Sequence, residues 1–321
     1  MQTVPANEIN DAAPSALSHL IGQGSVVDQV KVALDAANED NLPFPSTLAV
    51  GPAGCGKTQV AKVIAVEMCS DFHEVLGQAI ASAADFNALL LDAKDRDVVL
   101  IDEAHELEKE YQTSLFLAID QKRIFLQGVR SGRAPQSIPL ADFTLLLATT
   151  DEFRLLQPLR DRMKLALRFE FYSEDELAEL LKQRSLALGW KVADKIYRRI
   201  AQRSRGTPRL GLRLLQSCRR VCRSEGEQAI TIAHLDRACG LEQIDPLGLG
   251  PTEQQYLCIL GEGDTRLNVI ASRLGLPART VSQVTEPFLI RAGLLIKDDQ
   301  GRRQLTAEGR AHLSKNCANG V

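Results

Sequence analysis

A glycine-rich octapeptide contains the residue types that bind phosphate. Gly51–Thr58 reads GPAGCGKT, follows a short apolar run and opens a helical pattern. Glycines let backbone amides turn inward onto phosphate oxygens, and the start of the helix adds partial positive charge. We predict that Lys57 reaches the β- and γ-phosphates of ATP and that the Thr58 hydroxyl holds Mg²⁺. The predicted cradle is Gly51, Gly54, Cys55, Gly56, Lys57, Thr58 and Gln59.

A second motif places two acids at the end of a buried strand. Val98–His105 reads VVLIDEAH. Asp102 is predicted to bind Mg²⁺ with Thr58, and Glu103 to polarise the attacking water, a role that needs a carboxylate beside the γ-phosphate. The DEAH string also occurs in a helicase superfamily built from two tandem recombinase-like domains, which a chain of 321 residues ending in a winged helix cannot hold. His105 is therefore interpreted as a local supporting residue.

Hydroxyl and guanidinium groups follow in an order that suits a nucleotide motor. Leu145–Thr150 (LLLATT) is an apolar strand whose end could contact the attacking water through Thr150, or through Thr149 beside it. Arg160 and Arg162 lie in PLRDR, and such arginines can accelerate phosphoryl transfer by ~10³–10⁵ across a subunit boundary. Arg209 begins a later helix. For any single arginine, the alternative is a surface ion pair.

Three segments of different pattern carry these motifs. Residues 17–171 alternate helices with apolar strand runs and predict an α/β fold with a parallel sheet, after a loose polar lead-in over 1–16. Residues 172–244 read as helices only, an all-helical lid. Residues 245–321 follow a turn-rich linker, Asp245–Gly250, and have the order of a winged helix.

The predicted elements can be stated by position. The strand runs are Thr47–Val50, Val98–Asp102, Phe143–Thr149 and a weaker fourth run, Glu74–Ile80. The lid helices begin after Ser173, at Arg209 (to Arg223) and at Thr231 (to about Gly240). The winged-helix segments are Glu253–Leu260, Leu267–Leu274, Ala278–Ala292, and a hairpin of Leu294–Ile296 and Arg303–Leu305 around the tip Asp298–Gly301.

Charge and cysteine usage limit the class of protein. Residues 1–171 carry a balance of −9, residues 172–244 of +5 and residues 245–321 of +1, so bound nucleic acid should meet the C-terminal half. Seven scattered cysteines fit a reducing cytoplasm. Cys218 and Cys222 lack partners at metal-ligand spacing, and Cys55 is read as a buried thiol rather than a redox sensor. No apolar run is long enough to span a membrane.

Together these residues resemble the RuvB family of AAA+ motors, which drive branch migration at Holliday junctions. The resemblance covers roughly residues 17–313. The stretches that carry it are LIGQ (20–23), GPAGCGKT, LIDEAH, DFTLLLATT (142–150), PLRDR (158–162), FEFYSEDELAEL (169–180), RSRGTPR (203–209) and EPFLIRAGLL (286–295).

The resemblance implies further roles. Leu20 and Ile21 would line the adenine pocket with Tyr172 near the nucleotide. Arg162, with Arg160 adjacent, would reach a neighbour's ATP, and Arg209 would tie the lid to the phosphates. Arg123–Leu140 would be the hairpin that docks a RuvA-like partner, and Lys297 and Arg302 would contact DNA. The family implies a homo-hexameric ring around duplex or four-way junction DNA.

Several positions depart from the family pattern. The wing reads KDDQGRR (297–303), with two acids where a DNA-binding tip should be basic, and each lost phosphate contact lowers affinity. The others are ATTDEF (148–153), DRMK (161–164), Ala53, Gln59 and much of the 123–140 hairpin. Two alternatives to a DNA translocase therefore stay open: a divergent paralogue that remodels another nucleic-acid or protein substrate, and a nucleotide-switched binding regulator.

Overall fold

The chain folds into two compact units. The computed structural model describes residues 9–126 and 136–318. The first unit contains the described residues up to Gly189 together with Gly206–Leu212, and the second contains Trp190–Arg205 and the described residues from Arg213 onward. Within these described ranges, no helix has both the length and the apolar character needed to cross a membrane.

A five-stranded parallel sheet forms the centre of the first unit. The strands are β1 (Thr47–Val50), β2 (Phe72–Leu76), β3 (Val98–Asp102), β6 (Thr144–Thr149) and β7 (Leu165–Arg168). Their order in the sheet is β2–β3–β6–β1–β7. The helices are α1 (Gly24–Glu39), α2 (Lys57–Glu67), α3 (Ala83–Asp92), α4 (Lys109–Gln121), α5 (Gln157–Arg160) and α6 (Glu174–Ala187).

Alternate residues of the strands enter separate cores on the two faces of the sheet. Leu100 and Leu146 pack with Val30 and Ile64 of α1 and α2. Their neighbours Ile101 and Leu147 belong to the core that contains α3 and α4. Burial on both faces explains the nearly continuous apolar strands. The parallel pairing of β1, β3 and β6 aligns their carboxyl ends at one edge, where the candidate site lies.

Two strand predictions need correction. The weaker run predicted at Glu74–Ile80 is in fact β2, Phe72–Leu76, and Gly77–Ala79 forms a 3₁₀ turn. Strand β7 was not predicted. It is an edge strand with only Leu167 buried, so its residues LALR lack the continuous apolar character of the central strands.

The segment before α1 packs against the first unit. Ile9–Ala12 forms a 3₁₀ turn in which Ile9 is 4% exposed. The backbone oxygen of Pro14 accepts a hydrogen bond from Gln59 Nε2 at 3.1 Å. The described part of the predicted loose lead-in, residues 9–16, is therefore a packed segment.

A short antiparallel pair extends from α4. Strands β4 (Arg123–Leu126) and β5 (Gln136–Pro139) pair with Ile124 opposite Ile138. These are the two arms of the hairpin predicted at Arg123–Leu140, and residues 127–135 between them lie outside the described residues.

The region that the sequence predicts as all helical also contains two strands. Its helices are α6, α7 (Lys195–Arg203), α8 (Pro208–Ser224) and α9 (Ile232–Glu242). Helix α6 begins after Ser173 as predicted, and Ser173 and Glu176 form a capping box there. The prediction of helices alone is wrong because β8 (Lys191–Val192) and β9 (Ala229–Ile230) form a parallel pair. Two residues per strand are too few to show alternation in the sequence.

The C-terminal region has the winged-helix order with local differences. Its elements are α10 (Pro251–Gly261), β10 (Thr265–Arg266), α11 (Leu267–Leu274), α12 (Ala278–Thr280), α13 (Glu286–Arg291), β11 (Leu295–Lys297), β12 (Arg302–Leu305) and α14 (Ala307–Ala318). The single helix predicted over Ala278–Ala292 is interrupted by a π turn, Val281–Thr285. Strand β10 joins the hairpin as a third strand, and α14 was not predicted.

The predicted linker is a tightly bonded turn within the second unit. Asp245 Oδ1 accepts from the amides of Leu247 and Leu249 at 2.9 and 2.8 Å, and Asp245 Oδ2 lies 2.7 Å from His312 Nε2. Gly248 has φ +79°, and a Cβ there would lie 2.2 Å from the Arg203 carbonyl oxygen. Only glycine fits this turn.

Candidate functional site

A cavity of about 330 Å³ opens at the carboxyl edge of the sheet in the first unit. It brings together most of the residues that the sequence singles out. The predicted site residues that line it are Leu20, Ile21, Gly54, Gly56, Lys57, Thr58, Gln59, Asp102, Glu103, Tyr172 and Arg209. Gly51 and Cys55 are not among its lining residues; Cys55 is fully buried beneath the loop.

The loop between β1 and α2 has the backbone of a phosphate cradle. Gly51, Gly54 and Gly56 have φ values of +152°, +79° and +98°. A Cβ at Gly51 would lie 2.4 Å from the Phe169 carbonyl oxygen, so a side chain is excluded there. These left-handed conformations turn the amides toward the cavity.

Lys57 is held inside this loop by its own backbone. Its Nζ donates to the carbonyl oxygens of Gly51 and Pro52 at 2.8 and 3.0 Å. Burial lowers the pKa of Lys57, and the nearby carboxylates of Glu103 and Asp102 oppose that shift. The loop backbone therefore holds the ammonium at the cradle.

The candidate magnesium ligands already touch. Thr58 Oγ1 donates to Asp102 Oδ2 at 2.8 Å, which joins the start of α2 to the end of β3. The Glu103 amide donates to Asp102 Oδ1 at 2.8 Å. A hydroxyl and a carboxylate facing one cavity are the oxygen ligands that Mg²⁺ prefers, so these residues fit the ion.

Glu103 is held beside this pair in a left-handed conformation. Its φ is +48°, uncommon for a residue with a side chain. Thr150 Oγ1 donates to Glu103 Oε2 at 3.4 Å. Thr149 is fully buried, and its hydroxyl accepts from the Asp151 amide at 3.0 Å. Of the two hydroxyls left open by the sequence, Thr150 contacts the carboxylate.

The His105 ring contacts Thr149 and Glu103 through one nitrogen and Glu106 through the other. Its Nδ1 lies 3.1 Å from Thr149 Oγ1 and 3.3 Å from Glu103 Oε2. Its Nε2 lies 3.2 Å from Glu106 Oε1, which also accepts from Arg154 Nη1 at 2.7 Å. The local supporting role predicted for His105 thus corresponds to a specific set of contacts with Glu103.

Part of the cavity lining is apolar. Leu20 and Ile21 line the cavity together with Tyr172. A Cβ at Gly22 would lie 2.6 Å from Tyr172 Cε1, so the ring packs directly on that glycine. Burial raises the pKa of Tyr172 to about 12, which keeps the phenol neutral. Apolar walls around a neutral aromatic ring suit a heterocyclic base.

Arg209 approaches the phosphate cradle from the start of α8. A Cβ at Gly54 would lie 3.0 Å from Arg209 Cβ, so the two segments are in close contact. Arg209 also lowers the pKa of Lys57, although less than burial does. Arg209 therefore lies beside Gly54 and near Lys57, and its contact with phosphates stays a prediction.

Arg160 and Arg162 do not line this cavity. Arg162 Nε donates to Asp120 Oδ2 at 2.5 Å, and its guanidinium stacks on Phe116. Arg160 donates to Gln157, and its guanidinium stacks on the 80% exposed Phe153. Within one chain, each of these arginines contacts its own neighbours outside the cavity, and their predicted action on a neighbour's ATP stays a prediction.

Several lining residues were missed by sequence reasoning. They are Pro14, His19, Ala53, Val60, Lys62, Leu180, Gln183, Arg184, Pro208 and Leu212. Leu180, Gln183 and Arg184 have helical spacing i, i+3 and i+4, which marks one face of α6. That spacing was visible in the sequence, but it did not show which structure the face meets.

The wing residues are held by a buried acid. Glu286 is fully buried; its carboxylate accepts from Tyr256 Oη and Arg303 Nε, each at 2.8 Å, and lies 2.8 Å from Lys297 Nζ. The ammonium of Lys297, predicted to contact DNA, therefore already has a partner. Arg302 is exposed, and no carboxylate pairs with it in the described ranges.

One of the two wing acids has a structural task. Asp298 Oδ1 accepts from the amides of Gln300 and Arg302 at 2.9 and 2.7 Å and so closes the hairpin tip. Its charge is a consequence of the turn type rather than evidence against a nucleic-acid partner.

The sheet order, the cradle and the paired Thr58 and Asp102 beside Glu103 define an AAA+ P-loop ATPase, a nucleotide-binding protein. Family models agree for three consecutive regions: the P-loop domain of the Holliday junction DNA helicase RuvB (residues 12–169), the RuvB AAA lid domain (172–245) and the RuvB C-terminal winged helix domain (246–314). The chain belongs to the RuvB family.

Relatives match along nearly their whole length. The RuvB subunits of the Holliday junction branch migration complex from Kosmotoga olearia and Anaeromyxobacter dehalogenans are each 33% identical, and each match covers 96% of this chain and 91% of the relative. The solved Thermotoga maritima RuvB branch migration motor superposes with a TM-score of 0.81 at 31% identity, covering 94% of this chain and 98% of that chain.

Proposed function

We propose that this chain is an ATP-driven DNA motor that moves four-way junctions by branch migration. The observation that carries the proposal is the cluster of Lys57, Thr58, Asp102 and Glu103 around one cavity, in a chain whose three regions match RuvB models in order. Lys57 and Arg209 bind the phosphates, and Glu103 orients the attacking water with help from Thr150. Mg²⁺, held by Thr58 and Asp102, would neutralise charge on the phosphates.

The assembly we propose is a homo-hexameric ring in which Arg162, with Arg160 beside it, acts on a neighbour's ATP. Support comes from their position outside the chain's own cavity. The 123–140 hairpin would bind a RuvA-like partner, and Lys297 and Arg302 would contact DNA. We propose functional domains at 17–171, 172–244 and 245–321, bounds that the three family matches support within a few residues.

The alternative of a divergent remodelling protein rested on the acidic wing. Because Asp298 closes the hairpin turn, the charge of that one wing acid no longer favours a different substrate. The match of all three regions to RuvB models supports branch migration over both the remodelling protein and the nucleotide-switched regulator.

The test is ATP hydrolysis by the purified protein with and without four-way junction DNA and a RuvA-like partner. Junction DNA should stimulate turnover, and Glu103→Gln should lower kcat by about 100-fold or more while ATP still binds. Glu108→Gln, an exposed acid outside the cavity, is the matched control and should keep the parent rate. An unstimulated parent, or a Glu103→Gln protein that turns over normally, would contradict the proposal.

A further inference from the structure

Arg184 is a buried cation whose Nε has no hydrogen-bond acceptor among the described residues. It lies on α6, is 8% exposed and lines the nucleotide cavity. Its Nε is buried and makes no hydrogen bond in the part of the chain that the structure describes, and no carboxylate pairs with it there. Burial lowers the pKa of Arg184, and the only group opposing that shift is Tyr172. An unpaired buried charge is costly, so such a group is expected to have a partner that the free chain does not supply.

Arg184 lies on α6, which contributes no residue to the phosphate cradle. It follows Leu180 by one helical turn on the same face of α6, and both line the cavity. It interacts with Tyr172, whose ring packs on Gly22 beside the apolar lining residues Leu20 and Ile21 and whose hydroxyl lies close to Gly56. A guanidinium next to apolar side chains and an aromatic ring suits the base of a nucleotide.

The Arg184 guanidinium and the adenine ring have complementary hydrogen-bonding groups. A guanidinium is only a donor, with five N–H groups in a fixed fork. The ring nitrogens of adenine are acceptors. We propose that Arg184 is a specificity-determining residue that donates to the ring nitrogens of the adenine base. This inference rests on the proposed function in one respect, that ATP occupies this cavity.

On this proposal, Arg184 lowers the stability of the nucleotide-free protein but strengthens the binding of ATP. Replacing Arg184 with methionine of similar length removes an unpaired buried charge, so the nucleotide-free protein should become more stable. The same change removes charge-assisted hydrogen bonds to the nucleotide, so ATP should bind more weakly. A purely structural arginine would instead lower stability when replaced.

The experiment compares Arg184→Met and Arg184→Lys with Lys182→Met in the full-length protein. Lys182 is an exposed cation of the same helix that does not line the cavity, which makes it a matched control. Isothermal titration measures the Kd of ATP and of inorganic triphosphate, which shares the phosphates but has no base. Differential scanning calorimetry measures the thermal midpoint without nucleotide.

For Arg184→Met we expect a Kd for ATP about 10- to 100-fold higher, an unchanged Kd for triphosphate, and a thermal midpoint about 2–4 °C higher. Arg184→Lys should bind ATP with intermediate affinity, and Lys182→Met should match the parent. Equal losses for ATP and triphosphate would overturn the assignment to the base. An unchanged Kd for ATP, or a lower thermal midpoint, would overturn the inference itself. A parent that binds no ATP would instead contradict the proposed function.

Discussion

Individual residues in the site are held by partners before any ligand binds. Glu103 contacts both His105 and Thr150, and Thr58 contacts Asp102. Such contacts fix the direction of each carboxylate, so less ordering is needed when ATP arrives. The site therefore depends on supporting side chains as well as on those that meet the phosphates.

Two substitutions of His105 separate its contact with Glu103 from its contact with Glu106. The amide nitrogen of asparagine can replace Nδ1, which faces Glu103, whereas that of glutamine can replace Nε2, which faces Glu106. We expect His105→Asn to keep kcat for ATP hydrolysis within about threefold and His105→Gln to lower it about 10-fold or more, with KM for ATP little changed. Steady-state kinetics of both variants test this, and equal rates would show that the Glu103 contact has no role.

The chemistry of the site was predictable where it depends on strand ends. The acids after β3 and the hydroxyls after β6 could be assigned because parallel strands end at one edge. Arg184 could not be found in this way, since its place in the cavity lining depends on which structure one face of α6 meets. The pairing of Lys297 with Glu286 was also hidden, because a buried acid leaves no periodic signal.

At the scale of elements, prediction succeeded for the most apolar segments. Strands β1 and β3 and helix α11 have the predicted bounds. Strand β7 and the pair β8–β9 were missed because they are short or half exposed. The π turn within the predicted Ala278–Ala292 helix also has no sequence signature, since its residues continue the helical pattern.

The winged helix depends on one buried carboxylate. Burial alone would raise the pKa of Glu286, but hydrogen bonds from Arg303, Lys297 and Tyr256 hold it below the ordinary value of 4.5. A lowered pKa means that the ionised form stabilises the fold above pH 4.5 and that this contribution is lost as the pH falls through the lowered value.

Glu286→Gln tests this contribution. We expect it to lower the free energy of unfolding by about 3 kcal/mol at neutral pH and to flatten its decline below pH 4.5. Urea unfolding followed across that range is the measurement. Glu262→Gln, in an exposed pair with Arg273, is the control and should change little. Equal effects of the two substitutions would contradict the role of burial.

Over the whole molecule, the distribution of charge indicates which of the two units would contact DNA. The first unit contains the acidic part of the chain, so contacts to phosphates should come from the second. On its wing, Arg302 is exposed and unpaired among the described residues, whereas Lys297 is bound to Glu286.

The salt dependence of junction binding separates these two cations. Arg302→Ala should reduce the slope of log K against log salt by about 0.9, the value for one phosphate contact. Lys297→Ala should change the slope less, because its ammonium already has a carboxylate partner. Fluorescence anisotropy with a labelled four-way junction at several salt concentrations measures both slopes. A larger change for Lys297→Ala would mean that the ion pair opens on DNA.

The contacts of Lys57 also bear on the end of a catalytic cycle. Each turnover finishes with phosphate and nucleotide leaving, and a buried ammonium would then be stranded without acceptors. The carbonyls of Gly51 and Pro52 lie within hydrogen-bond distance of Lys57 Nζ and meet that need. Both acceptors belong to the main chain, so the loop retains them as long as its backbone keeps this conformation.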